Sequence, residues 1–127
     1  MAGKQTEPIN ELWAIMNTTP GSPPRWDRRQ IPIGMTLVAS KTARYDPGYA
    51  EPGHGMDEDG IVGVVTVIAG ELTVSGATSR QFLPGERFIV IAHSPEAKTE
   101  MPGYTNQAHE SSGATFIADV FRMPPEH

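Results

Sequence analysis

Residues 63–85 have the sequence GVVTVIAGELTVSGATSRQFLPG, and this stretch decides the fold of the chain. The run over residues 64–68 is short and rich in β-branched side chains, which predicts a buried strand rather than a helix. A turn at Gly70-Glu71 follows, a second strand resumes at Leu72, and Pro84-Gly85 predicts a reversal into a third strand. We therefore expect a small antiparallel meander of the kind found in β-barrels and β-sandwiches.

Other apolar stretches extend this all-β pattern on both sides. Residues 35–40 alternate weakly and continue through residue 45, residues 87–92 have the sequence RFIVIA, and residues 114–121 have the sequence ATFIADVF. Each of these stretches predicts a strand. Residues 46–60 and 93–113 are rich in Gly, Pro and polar residues, so we expect loops there.

The N-terminal part of the chain differs from this pattern. Residues 9–17 (INELWAIMN) place apolar side chains at helical spacing, which predicts one short amphipathic helix. An apolar face needs a partner surface, so this helix should dock on the domain or on a second subunit. We expect an N-terminal arm or helix and linker over residues 1–30, a barrel over residues 31–121 and a tail over residues 122–127.

Composition limits the classes of function. The chain has 127 residues, which suits one domain, and its 13 Gly and 12 Pro suit a turn-rich β protein. The absence of cysteine excludes disulfides, thiolate metal sites and a cysteine nucleophile, and it fits a cytoplasmic location. A net charge of −5 argues against nucleic acid as a partner, and no apolar run is long enough to span a membrane.

Three short segments of the sequence resemble motifs of the cupins, a family of small jelly-roll β-barrels. Residues 67–74 (VIAGELTV) resemble the hairpin that ends the first cupin motif, and residues 82–86 (FLPGE) resemble the turn that opens the second. Residues 101–107 (MPGYTNQ), followed by residues 111–114, resemble the end of the second motif. The resemblance covers roughly residues 35–121. It implies a cupin barrel that binds a small molecule and forms a homodimer.

The resemblance does not extend to the metal ligands of the family, which are a His-x-His pair, a Glu and a second-motif His. The Glu position falls on Gly63, and the His-x-His positions fall on Asp57 and Asp59 or, in the other register, on Met56 and Glu58. The second-motif His falls on Asn106 or near Glu96, depending on the register. No cofactor is therefore favoured. A divalent transition metal would require an irregular ligand set drawn from His54, Asp57, Glu58, His93 and His109.

A looser resemblance covers residues 65–95. This part is similar to the small cupins that phosphorolyse pyrimidine and purine nucleosides. Such an activity needs a cationic or backbone-amide cradle for phosphate, and Arg44 and Arg87 are the side chains that could supply it.

His54 lies in the loop over residues 46–60, close to Asp57, Glu58 and Asp59. Three interpretations of this grouping stay open. It is a solvated acidic loop, a metal site, or a histidine that performs acid/base chemistry or contacts substrate beside a carboxylate.

Two further histidines are candidates for chemistry. His93 follows an apolar strand, at a position where a barrel opens to solvent, although Ser94-Pro95 also predicts an ordinary turn there. The side chain of His109 points into the barrel or out of it, depending on the strand register.

Period-two alternation identifies the residues that would line a cavity. If Gly63 faces inward, Val65 and Val67 do so too. The neighbouring strands would contribute Leu72 with Val74, Phe88 with Val90 or else Ile89 with Ile91, and Phe116 with Ala118. Such an apolar interior suits an organic ligand, and it equally suits a closed barrel that is filled by its own side chains. The residues that we expect to contact a substrate are Arg44, Tyr45, Val65, Val67, Arg87, Tyr104, Asn106 and His109.

The function predicted from these features is that of a small-molecule enzyme without a tightly held metal. His54 or His93 would act as acid/base with a carboxylate partner, in an isomerisation, cyclisation or elimination. The candidate carboxylates are Asp57, Asp59 and Glu96. The alternatives are a metal-dependent cupin, a nucleoside phosphorylase, and a non-catalytic ligand-binding or sensor barrel.

Overall fold

The computed structural model describes residues 11–17, 22–31, 34–56, 60–92 and 103–124. Within these residues the chain forms strands and turns and no helix. The described residues therefore contain no helix that could cross a membrane. The ten strands are β1 Glu11–Met16, β2 Arg25–Gln30, β3 Thr36–Tyr45, β4 Ala50–Pro52, β5 Ile61–Gly70, β6 Leu72–Ser75, β7 Ser79–Phe82, β8 Arg87–Val90, β9 Thr105–Ala108 and β10 Ala114–Arg122. The predicted all-β class is confirmed.

The strands form two sheets that pack face to face. One sheet has six strands in the order β2-β1-β8-β5-β10-β3, and the other has four in the order β4-β9-β6-β7. The sheets are linked at both edges. At one edge, the hydroxyl of Tyr45 on β3 donates to Glu51 on β4. At the other edge, the ring of Trp26 on β2 packs against Phe82 on β7.

The helix predicted over residues 9–17 is wrong for residues 11–16, which form strand β1. This strand pairs antiparallel with β2 and parallel with β8. Its consecutive residues Ala14 and Ile15 are fully buried in different apolar clusters, one on each face of the sheet. A strand that is covered on both faces loses the period-two pattern. The apolar residues whose spacing predicted a helix are therefore buried on both faces of a strand.

The central stretch turns a corner between the sheets instead of forming the predicted meander. β5 pairs with β8 and β10, whereas β6 pairs with β7 and β9. Gly70 takes a φ of 73° at the corner, and an added Cβ there would collide with the backbone carbonyl of Gly113. At the Pro84-Gly85 turn, the N–H of Gly85 donates to the carbonyl of Val67 at 2.8 Å. This bond returns the chain to the six-stranded sheet.

The core lies between the two sheets, and alternation along the strands is as predicted. Val65 and Val67 face inward from β5, and Leu72 and Val74 face them from β6. Of the two registers open for β8, Phe88 and Val90 are the inward pair. Ile89 instead joins Ala14 and Val62 in a smaller cluster on the outer face. The inner face is thus apolar at its centre.

The sequence did not predict four of the strands. Strand β2 lies in the region expected to be a linker, β4 and β9 lie in expected loops, and no element was expected at β7. Strands β2 (RWDRRQ) and β7 (SRQF) are polar edge strands, and β4 (AEP) has only three residues. Strand β9 (TNQA) lies within the stretch that we expected to be irregular. The loop expected over residues 46–60 therefore contains β4, and this strand positions the site described below.

Candidate functional site

A carboxylate held by two phenols lies at the edge where β3 and β4 meet. Glu51 accepts a hydrogen bond from the hydroxyl of Tyr45 at 2.9 Å on Oε2 and one from the hydroxyl of Tyr49 at 2.8 Å on Oε1. Tyr45 is half-buried, and its ring meets that of Phe116 edge to face at 5.1 Å. Tyr49 stays 44% exposed. The carboxylate therefore has one shielded and one accessible partner.

Both phenols are held in their protonated form. Burial raises the pKa of Tyr45 well above its usual range, and the hydrogen bond to Glu51 and the charge of that carboxylate raise it further. The pKa of Tyr49 is raised chiefly by its hydrogen bond to Glu51. An anionic acceptor disfavours ionisation of the donor that it binds. At neutral pH Tyr45 is consequently a hydrogen-bond donor.

Asn106 lies directly opposite this carboxylate on the inner face of the four-stranded sheet. It pairs with Glu51 of β4 on one side and with Val74 of β6 on the other. Opposed residues of an antiparallel pair project to the same face, and Val74 is fully buried in the interior. Strand pairing therefore brings Glu51 and Asn106 together.

The amide of Asn106 has an unused acceptor. Its side chain is hydrogen-bonded to Tyr104, which lowers the pKa of that phenol, while burial has the larger effect and raises it. Its Oδ1 is buried and has no hydrogen-bond partner among the residues that the structure describes. Buried polar atoms in native proteins are almost always paired. An unpaired acceptor on an inner face is therefore suited to a ligand hydroxyl or N–H.

Gly53 fixes the position of the Tyr104 ring. The N–H of Gly53 donates to the carbonyl of Tyr104 at 2.7 Å, and a Cβ added at Gly53 would lie 2.5 Å from three carbons of that ring. Only glycine leaves room for this contact. Gly53, which directly follows β4, thus holds the inward-facing phenol of Tyr104 in place.

The described residues do not fit the metal centre that is usual in cupins. At Gly63, the position that corresponds to the Glu ligand, an added Cβ would contact Cε of Met56 at 3.4 Å, so a thioether side chain fills this space. Asn106, one of the two positions open for the second-motif His, carries an amide, and the other position, near Glu96, lies outside the described residues. Across the five described ranges, no group of three or more His, Asp or Glu side chains could hold a metal ion. We assign no step of the chemistry to a metal.

The structure describes two of the predicted histidines, an exposed one that follows β4 and one in a turn. His54 is exposed, between the buried residues Gly53 and Gly55. His109 lies in a turn, where its Nδ1 accepts the backbone N–H groups of Ser111 at 3.0 Å and Ser112 at 3.2 Å. Its Nε2 is 4.0 Å from a carboxylate oxygen of Glu71. The ring of His109 therefore supports the turn.

The remaining predicted site residues divide into three groups. Val65 and Val67 belong to the buried interior cluster. Arg44 and Arg87 are exposed and alternate with inward residues, so both project from the outer face of the six-stranded sheet. The others lie outside the described residues, and their roles stay predictions; they are Asp57, Glu58, Asp59, His93 and Glu96.

Sequence reasoning missed Glu51. No periodicity marks a strand of three residues, and the pairing partner of Glu51 is distant in the sequence. Tyr45 and Asn106 were among the predicted substrate contacts, and the structure bonds Tyr45 to the missed carboxylate and pairs Asn106 with Glu51.

The comparisons with known proteins agree with this architecture. No protein-family model and no curated protein sequence matches the chain. A solved sugar phosphate isomerase from a cupin superfamily, from Silicibacter pomeroyi, is 20% identical with a TM-score of 0.50, and the match covers 72% of this chain and 54% of that one. This chain thus spans about half the length of that structure.

Two further solved structures match at lower TM-scores. The cupin domain of an XRE family transcriptional regulator from Enterobacter cloacae is 17% identical, over 68% of this chain and 81% of that one, with a TM-score of 0.47. KdgF from Halomonas sp. is 15% identical, over 77% of this chain and 86% of that one, with a TM-score of 0.44. Together with the two packed sheets, the isomerase match identifies the fold. The chain has the cupin fold.

Proposed function

We propose that the chain is a small-molecule enzyme that moves protons inside the barrel, with Glu51 as base and Tyr45 as acid and without a metal. The observation that carries the proposal is the carboxylate of Glu51, which is held by two phenols and belongs to the residue paired with Asn106, whose amide oxygen has no partner among the described residues. A positioned base and an orienting group on one sheet, with a positioned acid that reaches the base from the other sheet, are the parts that acid/base catalysis needs.

The chemistry follows from the protonation states. The carboxylate of Glu51 takes a proton from a carbon next to a carbonyl group. The protonated phenol of Tyr45 donates to the oxygen on which negative charge develops. Return of the proton from Glu51 to the neighbouring carbon, with transfer of the hydroxyl proton between the two substrate oxygens, completes an isomerisation. In an elimination, Glu51 instead gives the proton to the departing hydroxide, which leaves as water. Both outcomes leave the enzyme as it started.

Tyr49 and Asn106 have supporting roles in this proposal. Because Tyr49 is exposed, its hydrogen bond to Glu51 can break when a substrate binds, which frees one carboxylate oxygen for the substrate. The free Oδ1 of Asn106 then accepts a hydrogen bond from a substrate hydroxyl and orients it over the carboxylate. A hydroxylated metabolite suits these groups. The solved isomerase with the same fold acts on sugar phosphates by its name, so such compounds belong in a first substrate panel.

This proposal moves the acid/base role from the predicted histidines to Glu51. His54 follows Glu51 closely in the chain but is exposed. Within the described residues, Glu51 and Tyr45 combine inward placement with a direct hydrogen bond. The roles predicted for His93, Asp57, Asp59 and Glu96 are not needed for the proposed steps.

Deuterium exchange tests the proposal without knowledge of the final product. The protein is incubated in D2O with hydroxy acids, aldoses, ketoses and their phosphates, and proton NMR follows the loss of carbon-bound hydrogen. We expect exchange or turnover of at least one compound by the wild-type chain, and a loss of at least about 10²-fold in the Glu51→Gln variant.

The Glu71→Gln variant is the matched control. Glu71 is a partly exposed carboxylate that contacts Gln81 of β7, whereas the hydroxyls of Tyr45 and Tyr49 bond Glu51. This variant should keep the wild-type exchange rate. A compound that binds and shifts the melting temperature but shows neither exchange nor turnover would identify a non-catalytic barrel and overturn the proposal.

A further inference from the structure

A second group of charged side chains lies near the opposite edge of the sandwich, around the indole ring of Trp13. Trp13 on β1 is paired with Arg28 on β2, while Arg80 reaches the same ring from β7 in the other sheet. The guanidinium carbon of Arg80 is 3.4 Å and that of Arg28 5.0 Å from the centre of the ring. Two guanidinium groups, one from each sheet, therefore lie close to the same indole ring.

An open cleft of about 340 Å³ borders these three side chains. Its walls combine apolar surface from Leu12 and Phe82 with the polar groups of Gln81 and Glu86. A cleft of this size accommodates a small molecule that has one charged end and one apolar end.

The charges in the cleft do not balance. Glu11 is bonded to Nε of Arg28 at 3.1 Å, and an oxygen of Glu86 accepts the backbone N–H of Leu83 at 2.7 Å. Among the residues that the structure describes, no carboxylate is paired with Arg80, although this side chain is half-buried. Three arginines and two glutamates line the cleft, because Arg87 borders it as well, so the cleft has a formal charge of +1 in a chain of net charge −5.

We propose that the cleft binds a small organic oxyanion, either a carboxylate or a phosphate ester, at the guanidinium groups of Arg80 and Arg28. A guanidinium stacked on an indole uses its flat face and leaves its edge donors free for two anion oxygens. An anion there also relieves the repulsion between two like charges that lie over one ring. Trp13 holds Arg80 in place and supplies apolar contact area.

This site is distinct from the proposed catalytic group. Glu51 and Tyr45 lie at the edge formed by β3 and β4, whereas Arg28 and Arg80 lie near the edge formed by β2 and β7. The inference rests on the charges and stacking around Trp13. It does not depend on the chain being an enzyme.

NMR of the ¹⁵N-labelled full-length chain tests the site directly, because the chain has only two tryptophans. The indole signals of Trp13 and Trp26 are assigned with a Trp26→Phe variant. The probes are inorganic phosphate, phenyl phosphate and benzoate. We expect the Trp13 indole signal to shift saturably with phenyl phosphate, benzoate or both, and the probe that binds more tightly identifies the class of anion. The absence of a saturable shift with all three probes would overturn the proposal.

Variants separate a built site from a general attraction of anions. Arg80→Gln should raise the Kd by at least about tenfold, since each charge-assisted hydrogen bond contributes roughly a factor of ten. Arg25→Gln is the matched control: Arg25 is exposed on β2, alternates with Trp26, and does not line the cleft. It should change the Kd by less than about twofold.

A further variant keeps the test decisive if Arg80→Gln does not fold, which would be evident from loss of its dispersed spectrum. Arg80→Lys keeps the charge but loses the planar fork and its stacking, so it should bind several-fold more weakly than the wild type. Equal Kd values in the wild-type, Arg80 and Arg25 variants would overturn the assignment.

Discussion

Glu51 and Asn106 lie opposite each other in the antiparallel pair of β4 and β9, with the side chain of Asn106 on the inner face of the barrel. Two hydrogen-bond acceptors are thereby placed on the same face of the sheet: a carboxylate that accepts from two phenols, and an amide oxygen that has no partner among the described residues. Substitutions at Glu51, at its phenol partners and in the strands around them test this placement of Glu51 opposite Asn106.

Glu51→Gln should abolish acid/base turnover while the fold remains intact. The amide is isosteric and can still accept from Tyr45, but it cannot take up a proton. We expect a rate loss of at least about 10²-fold with little change in melting temperature, measured by the deuterium-exchange assay and by circular dichroism. A variant that keeps its activity would contradict the assignment of Glu51 as base.

Tyr45→Phe should weaken the link between the two sheets. The change removes a half-buried hydrogen bond to a charged acceptor, so the free energy of unfolding should fall by about 1 to 2 kcal/mol. Urea unfolding measures this loss. The matched control is Tyr49→Phe, which removes the exposed phenol from the same carboxylate and should have a clearly smaller effect. Equal losses in both variants would show that burial of Tyr45 adds nothing.

Stability should fall in alkaline solution because of the buried phenols. The folded-state pKa values of Tyr45 and Tyr104 are raised above the ordinary value of 10.0, which applies to the unfolded chain. Their contribution is fully present below pH 10.0 and is lost as the pH rises above it, because the unfolded chain then releases protons that the folded chain retains.

Urea unfolding at a series of pH values from neutral to above 10.0 measures this dependence, with Tyr45→Phe as the comparison. The variant should show a shallower decline above pH 10.0, since one of the two phenols is absent. An identical decline in wild type and variant would contradict the prediction.

Gly53→Ala should destabilise the chain much more than Gly63→Ala. At Gly53 the new methyl group would overlap the Tyr104 ring, which is buried and cannot move freely, so we expect a loss of about 1 to 3 kcal/mol. At Gly63 the nearest atom is the flexible end of Met56 at 3.4 Å, so the loss should stay below about 1 kcal/mol. Thermal unfolding of both variants checks the order, and a reversed order would contradict the packing described for Tyr104.

Ile15→Ala should show that β1 is part of the core. This side chain is fully buried in the interior cluster, so its truncation should cost about 2 to 5 kcal/mol. Leu37→Ala, at a position that is 56% exposed, should cost less than about 0.5 kcal/mol. A small effect at Ile15 would mean that the segment before β2 is a dispensable arm.

Local sequence sufficed for the strands whose side chains alternate or are β-branched. β5, β6, β8 and most of β3 and β10 were predicted, because a long apolar strand carries its own periodic signal. The chain reversals at Gly70 and Pro84-Gly85 were also predicted, since glycine permits and proline fixes special backbone conformations locally, although the passage from one sheet to the other at Gly70 was not. These features were enough to indicate the cupin fold.

The polar and short strands could not be found in this way. β2 and β7 are edge strands with one face toward solvent, β4 is too short for a pattern, and β9 carries Asn106 where an apolar residue would have marked the inner face. The sequence of β1 predicts a helix because a strand with both faces covered has no alternation. Pairing partners decide these strands, and the partners lie far away in the sequence.

The sequence by itself determined which residue types were available: tyrosines, an asparagine and carboxylates in place of the usual imidazole ligands. Only the tertiary structure decided which of them meet. Strand pairing placed Glu51 opposite Asn106, and contact between the sheets joined Tyr45 to Glu51 and Arg80 to Trp13. The physical reason is that hydrogen bonds and ring contacts act over a few ångströms in space, and only the closing of the two sheets brings these distant residues within that range.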